Sequence, residues 1–127
     1  RALCADDRYQ IRAELSRWIA DPTVDVVITS GGTGLTGRDG TPEAVEPLLD
    51  KTIDGFGELF RVISFDSIGT ITLQSRCLAG VANGTFIFVL PGSLDAVTTA
   101  WQQLIRAQLD PETRPCNLAQ LRARLKE

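Results

Sequence analysis

The chain has 127 residues, 13 of them basic and 16 acidic, for a net charge of −3, and 43% of them are hydrophobic; this is the profile of one soluble globular domain that can bury a core without disulfides or metal. No block of Lys and Arg offers a footprint for a phosphodiester backbone, which argues against nucleic acid as the main partner. Histidine is absent, so the commonest metal ligand and the usual neutral-pH base are missing, and any chemistry runs on carboxylates, hydroxyls, backbone amides and a bound ion.

Asp6 and Asp7 precede Ile11, Leu15, Trp18 and Ile19, a spacing that predicts a helix from about Asp7 to Ala20 with acidic residues at its positive end. Val24 to Ser30 is short, β-branched and nearly all apolar, which predicts a strand buried on both faces and hence a parallel sheet between helices. The glycine-rich stretch from Gly31 to Gly40 follows, and Thr41 is expected to cap a helix whose first residue is Pro42, with Pro47 kinking or splitting it. A further helix is predicted over Phe56 to Ser64, with Phe56, Leu59, Phe60 and Ile63 at core spacing. Ser67 to Thr70 punctuates, and Ile71 to Ala82 reads as a helix ended by Asn83-Gly84. Thr85 to Leu90 is a second buried strand running into Pro91-Gly92-Ser93, with Ser93 as N-cap of a helix through Trp101 and Ile105. The tail from Asp110 is expected to wrap the surface and end in a short helix from Leu118.

Gly32, Gly34 and Gly37 match G-x-G-x-x-G after a strand, but a dinucleotide fingerprint starts its helix inside the motif, whereas here the helix starts beyond Gly37. A P-loop fails on chemistry, because Arg38 and Asp39 stand where Lys and Ser/Thr are required. What remains is a wide loop of exposed amides at a strand end, which can hold an anion while Asp39 coordinates Mg²⁺ or accepts hydrogen bonds from a heterocycle. The plain alternative is a tight glycine turn in which Arg38 and Asp39 pair with each other in solvent. Pro91-Gly92-Ser93 alone reads as structural; beside the first loop it completes one crevice with two sets of free amides, fitted to a phosphorylated small molecule. Glu58, Arg61, Ser75 and Arg76 read as solvated helix charges, with lining the crevice or a subunit contact as the lesser alternative.

Cys4, Cys77 and Cys116 are odd in number and form no C-x-x-C pair, consistent with reduced thiols in a cytoplasmic protein. No apolar run approaches the ~20 residues of a membrane span.

The strings ITSGGTGLTGRDGTPEAVEPLL, GFGELFR, TLQSR, VLPGS and TRPCN together resemble the MoaB/MogA family of molybdenum cofactor biosynthesis, and within it the MoaB branch. The resemblance covers essentially the whole chain. It implies a three-layer α/β/α fold with a mostly parallel central sheet, trimers or hexamers, and a site for molybdopterin, a pterin with a dithiolene and a terminal phosphate. In adenylylating members, Mg²⁺ and ATP attach AMP to that phosphate. Carried onto this chain, the binding positions are Ser30, Gly31, Gly32, Thr33 and Gly34, Arg38, Thr41, Pro42 and Glu43, and Pro91, Gly92 and Ser93; Asp39 is the catalytic acidic residue and Mg²⁺ ligand. The family's opening strand is not among these residues, so residues 1–127 are expected to form a single domain lacking its natural N-terminal strand and helix. Retention of Arg38-Asp39 leaves two readings: an adenylyltransferase, or a non-catalytic molybdopterin carrier; a scaffold with a decayed site is a third.

Overall fold

The computed structural model describes residues 1–127. Helix α1 (Arg8–Ala20) opens at Asp7, whose carboxylate accepts the amides of Tyr9 and Gln10 at 3.0 and 2.9 Å. It leads to strand β1 (Val26–Ser30), the glycine loop, and the short helix α2 (Thr41–Val45). Gly40, not Thr41, is the N-cap of α2 and makes no side-chain cap bond. Thr41 is the first helical residue and Pro42 the second, both buried, so the expected Thr41 cap is corrected. Pro47 ends the α-helical bonding as expected, since it has no N–H to give, and residues 46–48 form a 3₁₀ turn.

Strand β2 (Lys51–Thr52) precedes helix α3 (Asp54–Ile68), which is longer than expected at both ends and stops at Gly69 with φ of 69°. Phe56 and Phe60 of α3 are buried, whereas Leu59, expected in the core, is 54% exposed. A 3₁₀ stretch (Gly69–Gln74) leads not into the predicted helix but into strand β3 (Leu78–Ala82), which turns at Asn83 and Gly84 into strand β4 (Thr85–Leu90). Both turn residues have positive φ, 48° and 81°, the requirement of a tight two-residue hairpin, and Asn-Gly supplies it at least cost. Helix α4 (Leu94–Ala100) runs through a π turn at Trp101–Ile105 into α5 (Arg106–Leu109), and α6 (Leu118–Leu121) closes the tail.

The sheet order is β1-β4-β3-β2. Only β1 and β4 are parallel; β3 pairs antiparallel with both β4 and β2. The sheet is therefore mixed and not mostly parallel, because the segment read as a crossover helix returns instead as a hairpin strand. β4 is central and buried along its whole length. β1 lies at the sheet edge with Ile28 43% exposed, which corrects the expectation of a strand buried on both faces.

Successive β4 side chains face opposite ways. Phe86, Phe88 and Leu90 pack with Phe56 and Phe60 of α3 and with Ala100, while Ile87 and Val89 pack with Leu15 of α1, Val27 and Val45 of α2. Each of the larger side chains here, Phe, Leu, Ile and Val, stabilises the fold by about 1.5–3 kcal/mol of apolar burial. Helices held on both sides leave the carboxyl ends of β1 and β4 as the place where two loops emerge together.

Candidate functional site

The parallel register pairs Ser30 with Leu90, so the residues that follow, Gly31 and Pro91, begin side by side. Gly31 N–H donates to Leu90 O at 2.9 Å, and the Ser30 hydroxyl donates to Pro91 O at 3.3 Å. A methyl group built on Gly92 would lie 3.4 Å from Gly31 Cα, so the two glycine turns are in near contact. They line one crevice of about 560 Å³ with Thr33, Gly34, Asp39 and Ser93. Ser64, Ser67, Thr72 and Ser75, the aliphatic side chains of Ile68 and Ile71, and Asp95 are among the residues of the remaining wall, so Ser75 lines the crevice as its lesser sequence reading allowed.

The loop is shaped by what its backbone must do. Gly31 and Gly32 have φ of 109° and 71°, the left-handed region that a side chain penalises. A Cβ at Gly32 would collide with Thr41 Oγ1, and one at Gly34 would stand 2.7 Å from Asp39 Oδ2. Loop carbonyls are tied back: Gly32 O accepts from Thr41 N–H at 3.1 Å, Thr33 O from Arg76 N–H at 3.3 Å, and Gly34 O from Arg76 Nε at 2.9 Å. By contrast, the N–H groups of Gly32, Thr33, Gly92 and Ser93 donate to no protein atom. Ser93 also caps α4, its hydroxyl accepting Ala96 N–H at 3.2 Å, which anchors the second turn.

Asp39 closes the loop on itself. Its Oδ2 accepts the hydroxyl and N–H of Thr36 at 2.7 and 2.9 Å. These bonds, with smaller help from Gly34 N–H and the Arg76 charge, hold the carboxyl below the ordinary aspartate range. Asp39 is thus an anion, and only one of its oxygens is committed to Thr36. Arg38 points elsewhere: it is highly exposed, is not part of the crevice wall, and pairs with Asp6 at 2.9 Å. The alternative in which Arg38 and Asp39 pair with each other is not what forms.

Thr41, Pro42 and Glu43 lie behind the loop and do not line the crevice. Glu43 pairs with Arg76, which holds its carboxyl below the ordinary range, and Arg12 of α1 donates to the carbonyls of Ala44 and Glu43 at 3.0 and 2.9 Å. Arg76, read from the sequence as a solvated helix charge, instead sits half-buried between loop and α2. Recognition of Asn83-Gly84 as a hairpin would have placed Arg76 just ahead of a core strand and exposed this role.

The crevice wall carries two carboxylates, Asp39 and Asp95, and no Lys or Arg. No three His, Cys, Asp or Glu side chains converge to cage a metal. The donor set suits Mg²⁺, which takes one or two carboxylates and completes its shell with water and phosphate oxygens.

Facing glycine turns at the ends of paired parallel strands, with amides free and carbonyls tied, define an α/β domain with an amide-lined crevice. The sequence matches the family model described as a probable molybdopterin binding domain over residues 1–111. It is 56% identical over 117 residues to molybdenum cofactor biosynthesis protein B of Escherichia coli (strain K12), covering 92% of this chain and 69% of that protein. Its counterpart in Staphylococcus carnosus (strain TM300) is 48% identical over 110 residues, 86% of this chain and 64% of the relative. A crystal structure of a molybdenum cofactor biosynthesis protein B superposes with TM-score 0.82 at 44% identity, covering 85% of this chain and 68% of that one. The tungsten cofactor synthesizing protein MoaB from Pyrococcus furiosus superposes with TM-score 0.75 at 39% identity, covering 82% and 66%. The chain belongs to the MoaB/MogA family of molybdopterin-binding domains, on its MoaB branch.

Proposed function

We propose that this chain acts in molybdenum cofactor biosynthesis, binding molybdopterin and adenylylating its terminal phosphate with Mg-ATP. The observation that carries the reading is the meeting of the Gly31 and Gly92 turns, which gathers four unpartnered amides at one place. Such amides favour anions strongly because they need no reorganisation to receive one.

The first turn, Ser30 to Gly34, and the second, Pro91 to Ser93, hold the phosphate groups. Thr36 keeps Asp39 ionised and aimed. Thr41, Pro42 and Glu43 support the loop from behind, and Arg38 with Asp6 closes its outer edge. In the transfer an oxygen of the terminal phosphate bonds to the α-phosphorus of ATP while the α–β bridging bond breaks and pyrophosphate departs. A phosphate nucleophile needs no general base, so positioning and charge neutralisation carry the rate. Mg²⁺, held by Asp39, supplies part of that neutralisation when bound.

A second reading, a non-catalytic molybdopterin carrier, is favoured by one feature: the crevice wall has two carboxylates and no basic side chain to meet a triphosphate. Incubation with molybdopterin, Mg²⁺ and ATP separates the two. Pyrophosphate release that falls about 100-fold or more in Asp39→Ala supports transfer. Saturable molybdopterin binding without release makes the chain a carrier, and failure to bind either ligand overturns both.

The helices on both faces of the sheet support a three-layer arrangement. Self-association into trimers or hexamers is supported by α3, whose outer face carries exposed Leu59, Val62 and Phe65 at intervals of three; Ile68 and Ile71, also exposed, border the crevice. A contiguous apolar stripe of this kind is rare on a monomer's surface.

A further inference from the structure

We propose, building on the reading of the crevice as an anion site, that Arg76 is the positioning residue that fixes the Gly34–Asp39 part of the glycine loop and so sets Asp39 at the crevice. Arg76 does not line the crevice; it acts from behind. Its backbone N–H takes Thr33 O at 3.3 Å, its Nε takes Gly34 O at 2.9 Å, and Nη2 takes Asp39 O at 3.2 Å, while Nη1 pairs with Glu43. One residue therefore engages three loop carbonyls and α2 together.

The consequence follows from peptide planarity. In a trans peptide the carbonyl of one residue and the N–H of the next point in opposite directions. Fixing Thr33 C=O toward Arg76 turns Gly34 N–H away from it, toward the Asp39 carboxylate, whose ionisation that N–H favours. Fixing Gly34 C=O and Asp39 C=O does the same for the amides of Leu35 and Gly40. Thr41 N–H holds Gly32 C=O and Thr36 holds the Asp39 carboxylate, but neither reaches the carbonyls of Thr33, Gly34 and Asp39. Arg76 joins those three and does so from outside the ligand volume.

The structure also explains why Arg stands there. Its planar fork reaches two carbonyls and a carboxylate in fixed directions, whereas a Lys ammonium is a point charge that delivers field without that geometry. Arg61 braces the same segment from the other side, donating to the carbonyls of Ser75 and Cys77, each at 3.3 Å, so the backbone carrying Arg76 is itself held.

The test uses the whole chain with inorganic pyrophosphate and Mg²⁺ as probe, titrated by calorimetry, with amide hydrogen exchange read residue by residue. Arg76→Lys keeps the charge and loses the fork. It is expected to weaken pyrophosphate binding about tenfold and to speed exchange across residues 31–40, with β4 amides unchanged. Glu43→Gln releases one arm of the fork and is expected to act in the same direction, by about threefold; it decides the matter should Arg76→Lys fail to fold. Undiminished affinity in the variant that is read overturns the proposal, as does weaker binding with unchanged loop exchange, which would mark an effect that does not pass through the loop. Should the unaltered protein bind no pyrophosphate, the anion reading falls by itself, and loop exchange alone then decides whether Arg76 orders the loop.

Discussion

Asp39 is the residue on which the charge of the glycine loop turns. Its carboxyl is depressed mainly by the Thr36 hydroxyl and then by the Thr36 N–H, so the loop's stabilisation is complete above the ordinary aspartate range and is lost as pH falls through the depressed native value. The protection factors of the loop amides, that is, exchange corrected for each amide's intrinsic pH dependence, should accordingly stay constant from neutral pH down to that range and fall only below it. In Asp39→Asn, whose amide oxygen can accept the same two bonds, the acid step should vanish while the loop stays closed; a persisting step would assign the titration to another group, with Glu43 the first candidate. The glycines separate in the same way. Gly32→Ala combines positive φ with a collision at Thr41 Oγ1, and should cost about 2 kcal/mol or more in urea unfolding together with loss of pyrophosphate binding. Gly92→Ala meets only Gly31 Cα at ordinary contact distance, so its stability should change little while the methyl group narrows the crevice and weakens binding.

Among the elements, those written in local chemistry were legible from sequence. The start of α1 near Asp7, the Ser93 cap, the Pro47 break, and strand β4 with its small-residue stop all reflect interactions within a few residues. The hairpin β3–β4 was not, because its composition points the wrong way. Ala79, Gly80 and Ala82 read as helix formers or tolerated residues, yet Ala79 and Ala82 are buried in the core and Gly80 has no room for a side chain: a Cβ there would lie 2.6 Å from Leu49 Cδ1 and 2.7 Å from Lys51 O. That is a tertiary demand, and nothing within the window signals it. The same misreading hid Arg76, whose side-chain partners lie 33 to 42 residues away. The crevice itself was legible, since both of its turns stand at the ends of apolar β-branched runs; the residue that orients it was not. Asn83 offers a test of the hairpin: Asn83→Ala loses the bond to Ile19 O at 2.9 Å and keeps a positive φ, and should destabilise the fold by about 1–2 kcal/mol in thermal or urea melts.

For the whole molecule, stability and assembly meet on α3. Its inner residues Phe56 and Phe60 belong to the core, whereas Leu59, Val62 and Phe65 face outward. Val62→Glu touches no core residue, so it should leave the fold intact while lowering the sedimentation-velocity mass of any oligomer toward 13.8 kDa; unchanged association would move the contact to another face. The crevice is further tied to the sheet by the five consecutive pairings from Val26 with Phe86 to Ser30 with Leu90. These strands work as a ruler. A slip of two residues, the smallest that keeps every side chain on its own face, would part the two turns by about 6.6 Å, farther than one phosphate group can bridge. Binding strength at the crevice thus reports strand alignment some distance away, and a buried substitution in β4 that loosens alignment would register first as lost ligand affinity, before any measurable loss of fold.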